Sequence, residues 1–276
     1  MSDFVKQGDI LVDSATWPLL QQAGLSDFDS FMDFPGGHRV VHKRGRSVFR
    51  FELEGRAFYL KRNRFHPVEL LKRLSRGKLP PRSAHREWDS ILAVAAAGIP
   101  TVKPVALGER PIVGIETASF TVTEELYGAR PLDELVREGY LDRLEHHERR
   151  ELIRKLAALA RNLHDAGMNH QDFYLNHFFL GEEGSVYLLD LQRVQSRNRV
   201  PERYLIKDLA QLNYSVDYYG GFSNVDRLRF VMDYADLDGL NNVVKEFIRK
   251  VLRKTARIAR HDVKLMQRRK RRGELP

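Results

Sequence analysis

The stretch Asn169-His170-Gln171-Asp172-Phe173-Tyr174-Leu175-Asn176-His177 decides how this chain of 276 residues is read. It follows a helical pattern over 148–166, in which Leu152, Leu156, Leu159 and Leu163 recur at three- and four-residue spacing and Gly167 supplies the stop. Eighteen residues beyond Asp172, after a turn at Gly181-Glu182-Glu183-Gly184, the apolar run Val186-Tyr187-Leu188-Leu189 ends in Asp190. A His-x-Asp loop followed at hairpin distance by a carboxylate at the end of a strand sets one acid to take a proton and a second to hold a metal ion.

Working outward, the pattern from Pro131 onward is mainly helical, and the segment before it is mainly stranded. Val48, Arg50 and Glu52 alternate with Phe49, Phe51 and Leu53, Glu54-Gly55 turns the chain, and Ala57-Phe58-Tyr59-Leu60-Lys61 returns, which predicts a β-hairpin. A basic helix over 68–76 follows, then Leu79-Pro80-Pro81, then a helix over 84–97 with Trp88, Ile91, Leu92 and Ala95 on one face, stopped by Gly98 and Pro100. Further strands are expected over 102–107 and 118–125. Residues 1–35 read as an N-terminal extension with Phe28, Phe31, Met32 and Phe34 as anchors and Pro35-Gly36-Gly37 as a break. The economical architecture is a small β-rich N-lobe with one packed helix over 36–127 and a larger α-helical C-lobe over 128–276, joined near 124–130.

Bulk properties bound the function without choosing it. A hydrophobic content of 42% with 30% charged residues is ordinary for a folded protein, and the absence of cysteine excludes disulfide frameworks and thiolate metal sites. No basic segment leads into an apolar one at the start, and the longest apolar stretch, 91–102, is far short of the roughly 20 residues that span a bilayer. A cytoplasmic protein is therefore expected. The formal charge of +9 points to anionic partners. Its excess lies in Arg62, Arg64, Lys72, Arg73, Arg76, Lys78 and Arg82, and in a C-terminal helical stretch over 249–272 that ends Arg268-Arg269-Lys270-Arg271-Arg272. Such a tail suits either plain solvation or an anionic membrane surface.

Phosphoryl transfer from ATP asks for a triphosphate clamp, a metal ion and an acceptor hydroxyl aimed in line. Lys61, at the end of its strand, is placed to hold phosphates, and Glu87 on the next helix to hold Lys61; each taken alone is also an ordinary surface residue. Asp172 is placed as the base, with His170 bracing its loop, although an aspartate there would equally suit a turn. Asp190 ends a strand too apolar to finish in a carboxylate by accident, and Mg2+ would offset the cost of crowding it against phosphates. His177 and Asn176 are neighbouring candidates for a metal or phosphate contact, with packing of His177 beneath Phe178 and Phe179 as the competing role. The order of strand lysine, helix glutamate, His-x-Asp loop and strand-end aspartate carries more weight than any one member.

Several features depart from ordinary protein kinases. No Gly-x-Gly-x-x-Gly loop occurs, the corresponding turn being Lys43-Arg44-Gly45-Arg46, so phosphate cover would come from one glycine and basic side chains. Asp-Phe-Gly is replaced by Asp190-Leu191-Gln192, an asparagine follows the base one position early at Asn176, and no Ala-Pro-Glu segment follows. With these departures the chain resembles the lipopolysaccharide core heptose kinases and Kdo kinases, from about His38 to the basic C-terminal helix. The resemblance rests on Phe58-Tyr59-Leu60-Lys61, Arg86-Glu87-Trp88, Gly98-Ile99-Pro100-Thr101 and Val122-Thr123-Glu124-Glu125-Leu126. It continues through 164–174, His177-Phe178, Asp190-Leu191-Gln192-Arg193-Val194-Gln195 and Lys207-Asp208-Leu209. Gln171 stands where that family typically has arginine, Gln192 where it often has histidine, and His177 matches the family pattern.

The resemblance implies an α+β, bilobal, protein-kinase-like fold and ATP-dependent phosphorylation of a heptose or Kdo hydroxyl in the lipopolysaccharide inner core. Asp172 would be the base, Lys61 with Glu87 the phosphate clamp, and Asp190, with His177, the magnesium site. Glu124, Glu125 and Leu126 would line the adenine site through backbone groups, and Arg193 and Lys207 would lie on the acceptor side. The acceptor would be an anionic glycolipid at the cytoplasmic face of the inner membrane, with the basic segments as peripheral anchors. The alternatives are a kinase for a soluble small molecule, which would favour an acidic pocket for a cationic substrate, and a catalytically inactive kinase-like scaffold that binds anions. Nucleic acid is not an expected partner, because nothing beyond charge points to it.

Overall fold

The computed structural model describes residues 3–43, 45–64, 83–112 and 115–272. The chain divides into two compact units, one of Met1–Ala95 with Thr101–Tyr127 and the other of Ala96–Pro100 with Gly128–Pro276. The basic helix expected over 68–76, Leu79-Pro80-Pro81, the cations Lys72, Arg73, Arg76, Lys78 and Arg82, and Arg44 of the glycine turn lie outside the described residues.

The first unit is built on strands β1 (Phe4–Gln7), β2 (Ile10–Asp13), β3 (His38–Lys43), β4 (Arg46–Leu53), β5 (Arg56–Arg64), β6 (Pro104–Ile112) and β7 (Ile115–Glu124). They form one antiparallel sheet in the order β1-β2-β6-β7-β5-β4-β3. The expected hairpin is β4–β5: Glu54 and Gly55 both take positive φ, 49° and 76°, the backbone of a two-residue turn whose twist matches that of its strands. One expectation is corrected here. Lys61 does not end its strand but sits inside β5, opposite Thr121 on β7 and Val48 on β4, and is buried.

Residues 1–35, read above as an extension, contribute β1, β2 and the helices α1 (Trp17–Gln22) and α2 (Phe28–Asp33) to this same unit. Asp27 caps α2, its carboxylate accepting the Ser30 amide at 2.8 Å. The anchors Phe28, Phe31 and Met32 are buried, with Phe31 stacked on Phe120 of β7 at a centroid distance of 4.4 Å; Phe34 is half-buried. Gly108 on β6 has no room for a side chain, because the rings of Phe120 and Phe28 press against its Cα. Helix α3 (Ser83–Ala96) buries Trp88, Ile91 and Val94, so Val94 rather than the expected Ala95 continues the apolar face, and Ala95 is exposed.

The second unit begins with β8 (Arg130–Pro131), α4 (Leu132–Arg137), α5 (Tyr140–Arg143) and α6 (His146–Asp165). The four leucines of α6 are buried. Gly167 ends it with φ +75°, in a place where the Arg197 carbonyl oxygen leaves no space for a Cβ. Next come β9 (Met168–Asn169), a 3-10 turn (Leu175–His177), β10 (Phe178–Leu180), β11 (Val186–Leu188), a second 3-10 turn (Leu191–Arg193) and β12 (Gln195–Ser196). The small strands pair in the orders β11-β10-β8 and β12-β9. Asp190 therefore lies two residues past the end of its strand, a difference from the strand-terminal position expected. Three helices follow, α7 (Glu202–Tyr219), α8 (Asn224–Ala235) and α9 (Asn242–Arg271). Contacts from Lys250 to Glu202, Thr255 to Ala210 and Tyr214 to Asp262 advance together along both helices, so α7 and α9 run parallel.

Candidate active site

In the first unit, burial of Lys61 on β5 obliges its ammonium to keep a charged partner. Glu87, in the second turn of α3, supplies it: Nζ lies 2.5 Å from Oε2, with the two side chains 11% and 13% exposed. This is the lysine–glutamate pair expected from the sequence. At the end of β7, Glu124 is bound through both oxygens by Arg56, and Glu125 by Arg50 and the Tyr59 hydroxyl. The Arg50 guanidinium holds the Glu125 carboxyl below the usual carboxylate range. The amides of both residues are also committed, Glu124 N–H to the Lys103 carbonyl and Glu125 N–H to the Ala57 carbonyl.

In the second unit, a polar stripe on α7 organises the 170–177 loop. Asp208, Gln211 and Ser215 lie at helical spacing, and all three are buried. Asp208 accepts the amides of His170 at 2.6 Å and Gln171 at 3.0 Å; Gln211 accepts Phe173 N–H at 3.2 Å, and Ser215 accepts Leu175 N–H at 2.9 Å. Gln171 takes positive φ, 69°, and its carbonyl is held from the same helix by Gln211 Nε2 at 2.7 Å and Lys207 Nζ at 2.9 Å. Burial pushes the Lys207 ammonium below the usual lysine range. Four loop amides and one carbonyl are thereby satisfied from a single helix face.

His170 joins this loop to the next one. Its Nδ1 accepts the Asp172 amide at 3.3 Å, and its Nε2 donates to the Leu189 carbonyl at 3.0 Å, which requires the neutral ring with its proton on Nε2. The ring is fully buried, and burial depresses its pKa, which keeps it neutral. His177 stacks on His170 at a centroid distance of 5.6 Å, not beneath Phe178 and Phe179. It donates from Nδ1 to the Asp172 carbonyl at 2.7 Å, so the main chain of Asp172 is pinned at both its N–H and its C=O.

The carboxylate of Asp172 is half-buried and is met by Arg193 at 2.7 and 2.9 Å, the 3-10 turn after Asp190 carrying that arginine back to the loop. Asp190 takes positive φ, 58°, accepts from Gln192 Nε2 at 2.9 Å, and has Oδ2 3.7 Å from His177 Nε2. The structure thus brings Asp172, Asp190, His170, His177, Arg193 and Lys207 together. Asn176 instead lines a separate hollow with Tyr174, Tyr214, Tyr218 and Asp262.

Among the described residues no group of three or more His, Cys, Asp or Glu is arranged to hold a metal. Magnesium needs only one or two carboxylates and completes its shell with water and substrate phosphates. Asp190 is exposed enough to serve as such a ligand. The imidazole of His177 is a poor magnesium ligand, and its Nε2 lies 3.7 Å from Asp190 Oδ2, too far for a hydrogen bond. Asp208, Gln211 and Ser215 received no role from the sequence, although three polar residues on the apolar face of a helix are a readable signal of a buried partner.

The family model described as lipopolysaccharide kinase (Kdo/WaaP) matches residues 38–234. The chain belongs to this family. It is 33% identical to the lipopolysaccharide core heptose(I) kinase WaaP of Escherichia coli over 197 residues, 68% of this chain and 74% of that one. It is 32% identical to the protein of the same name from Pseudomonas aeruginosa over 240 residues, 84% of this chain and 87% of that one. A solved structure of WaaP in complex with acyl carrier protein superposes with a TM-score of 0.71 at 27% identity, covering 93% of this chain and 98% of that one. A Kdo/WaaP-family kinase with a protein-kinase-like fold, as expected from the sequence, is thereby established.

The α7 stripe makes a sharp prediction. Asp208→Ala strands two buried amides and is expected to cost about 3–5 kcal/mol of unfolding free energy in urea titration. A cost under about 1 kcal/mol would mean that the loop does not depend on this carboxylate.

Proposed function

We propose that this kinase transfers the γ-phosphoryl group of ATP to a hydroxyl of a heptose in the lipopolysaccharide inner core. The observation that carries the reading is the clamped Asp172, its main chain held on both sides and its carboxylate met by Arg193 from the turn that follows Asp190. The heptose kinase names of the E. coli and P. aeruginosa relatives favour heptose over Kdo as the acceptor.

The acceptor hydroxyl gives its proton to Asp172 as its oxygen forms the new bond to phosphorus and the bond to ADP breaks. Arg193 orients the Asp172 carboxylate until the hydroxyl takes over one of its oxygens, and Lys207 holds the loop from behind. Lys61, kept in line by Glu87, binds phosphate oxygens, and the carbonyls of Glu124 and Glu125 with Leu126 line the adenine. Asp190, held by Gln192, is the residue that would hold magnesium, which when bound neutralises phosphate charge.

A lipid-anchored acceptor calls for work at the cytoplasmic face of the inner membrane. No helix among the described residues is long and apolar enough to cross a membrane, and the exposed cations at the end of α9 suit peripheral attraction to anionic lipid. We also infer an acyl carrier protein as a partner, as in the solved WaaP complex. A hollow of about 250 Å3 in the helical unit is lined by Ile153, Leu156, Leu212, Phe230, Phe247 and Val251, and also by Leu175 of the catalytic loop. An apolar hollow of this size stays weakly hydrated, and a fatty acyl chain is an occupant of matching chemistry.

Asp172→Asn and Asp190→Ala are each expected to lower kcat about 100-fold or more at an unchanged melting temperature. Near-normal turnover by either variant removes the corresponding assignment. Acyl carrier protein loaded with a long acyl chain should raise the melting temperature more than the unacylated carrier does, by preferential binding to the folded chain. An equal effect of the two forms would exclude the apolar hollow as the acyl site.

A further inference from the structure

The parallel pair α7 and α9 borders an open hollow, of about 330 Å3, lined by Arg203, Ile206, Lys250, Arg253, Lys254 and Arg257. Its cations come from two faces in register. Arg203 is one helical turn before Lys207 on α7, and Lys250, Arg253, Lys254 and Arg257 follow at the three- and four-residue spacing of one face of α9.

Five cations around one hollow repel each other, and the protein only partly compensates them. Lys250 pairs with Glu202 at 2.7 Å and Arg253 with Glu246 at 3.0 Å. Among the described residues no carboxylate pairs with Arg203, Lys254 or Arg257. Arg203 and Arg257 are exposed at the rim, and Lys254 is half-buried between them. A cluster of this kind attracts an anion, and arginine forks with a lysine ammonium suit planar or tetrahedral oxyanions.

The position of the hollow narrows the anion. The contacts of Lys250 with Glu202 and of Thr255 with Ala210 bracket Lys254 on α9 and Lys207 on α7, so the two lysines lie at the same level of the helix pair. Lys207 Nζ bonds the Gln171 carbonyl, next to the base. The hollow therefore lies one helical turn along α7 from the lysine that holds the catalytic loop.

We propose that this α7–α9 hollow binds the acid groups, carboxylate or phosphate, of the acceptor glycolipid, and so registers the sugar whose hydroxyl reaches Asp172. The proposal rests on the reading of the acceptor as a lipopolysaccharide core. It assigns the hollow to the saccharide and not to the surrounding bilayer.

The test is calorimetric titration of the full chain and of the Arg203→Ala/Arg257→Ala variant with lipid-free core oligosaccharide that retains its acid groups. A second oligosaccharide, with carboxylates reduced to alcohols and phosphates removed, serves as the other probe. The variant should bind the acid-bearing oligosaccharide about tenfold more weakly, and the two proteins should bind the neutral one alike. Equal affinity of both proteins for the acid-bearing oligosaccharide overturns the proposal. So does a variant that loses binding only to vesicles containing anionic lipid, which would give these cations to the membrane surface. Retained secondary structure and melting temperature identify a folded variant, and Arg203→Lys/Arg257→Lys, which keeps the charge, should recover most of the affinity. Because binding is read without turnover, a chain that binds the oligosaccharide but never phosphorylates it would defeat the kinase reading and leave this subsite standing.

Discussion

The Asp208 carboxylate, fully buried on α7, accepts the amides of His170 and Gln171, and the geometry of the helical unit's chemistry follows from that contact. A loop that turns through a left-handed residue has backbone groups with no ladder or helix to satisfy them. Left unpaired in the interior, each would cost on the order of 1–3 kcal/mol. Asp208, Gln211 and Ser215 answer that need at one helical repeat, so the loop inherits the rigidity of a helix of eighteen residues. What the loop then presents outward is the Asp172 carboxylate.

His170 carries that order across to the second acid. A neutral imidazole is both donor and acceptor, and here the acceptor side takes the Asp172 amide while the donor side takes the Leu189 carbonyl. Burial favours the neutral ring, so the same environment that hides His170 also preserves the hydrogen-bonding pattern the two loops require. Asp190 is reached from Leu189 by one further peptide. The spacing of the two carboxylates is thus set by a ring and two main-chain bonds, not by the flexible side chains themselves.

Much of this was legible in the residues, and what was not has physical reasons. The leucine spacing of α6, the Glu54-Gly55 turn and the pairing of Lys61 with Glu87 are local or strongly patterned, and the structure has all three. Hydropathy ends the strand at Lys61, because Arg62, Asn63 and Arg64 are polar, yet β5 runs on to Arg64. There Arg62 lies over the Phe49 ring, and its side chain reaches the Phe34 carbonyl. Long cationic side chains with apolar stems can extend a strand that hydropathy alone would end. Residues 4–13 were missed as strands because two runs of four residues carry almost no periodic signal, and only β6 makes them part of a sheet. Asp208 stood inside a quoted motif without a role, since a buried acid announces its partners only when the loop it serves is in view. The Asp172–Arg193 contact likewise depends on the short turn after Asp190, which no spacing rule predicts.

The central claim is that this constellation moves phosphate from ATP to a core sugar. The most direct measurement is to incubate the purified protein with γ-labelled ATP, magnesium and dephosphorylated heptose-containing core glycolipid, and to locate the label by fragmentation mass spectrometry. The account predicts a phosphate monoester on a heptose hydroxyl, formed in step with ADP. ADP formed with the label released as inorganic phosphate, and none on the glycolipid, would contradict it.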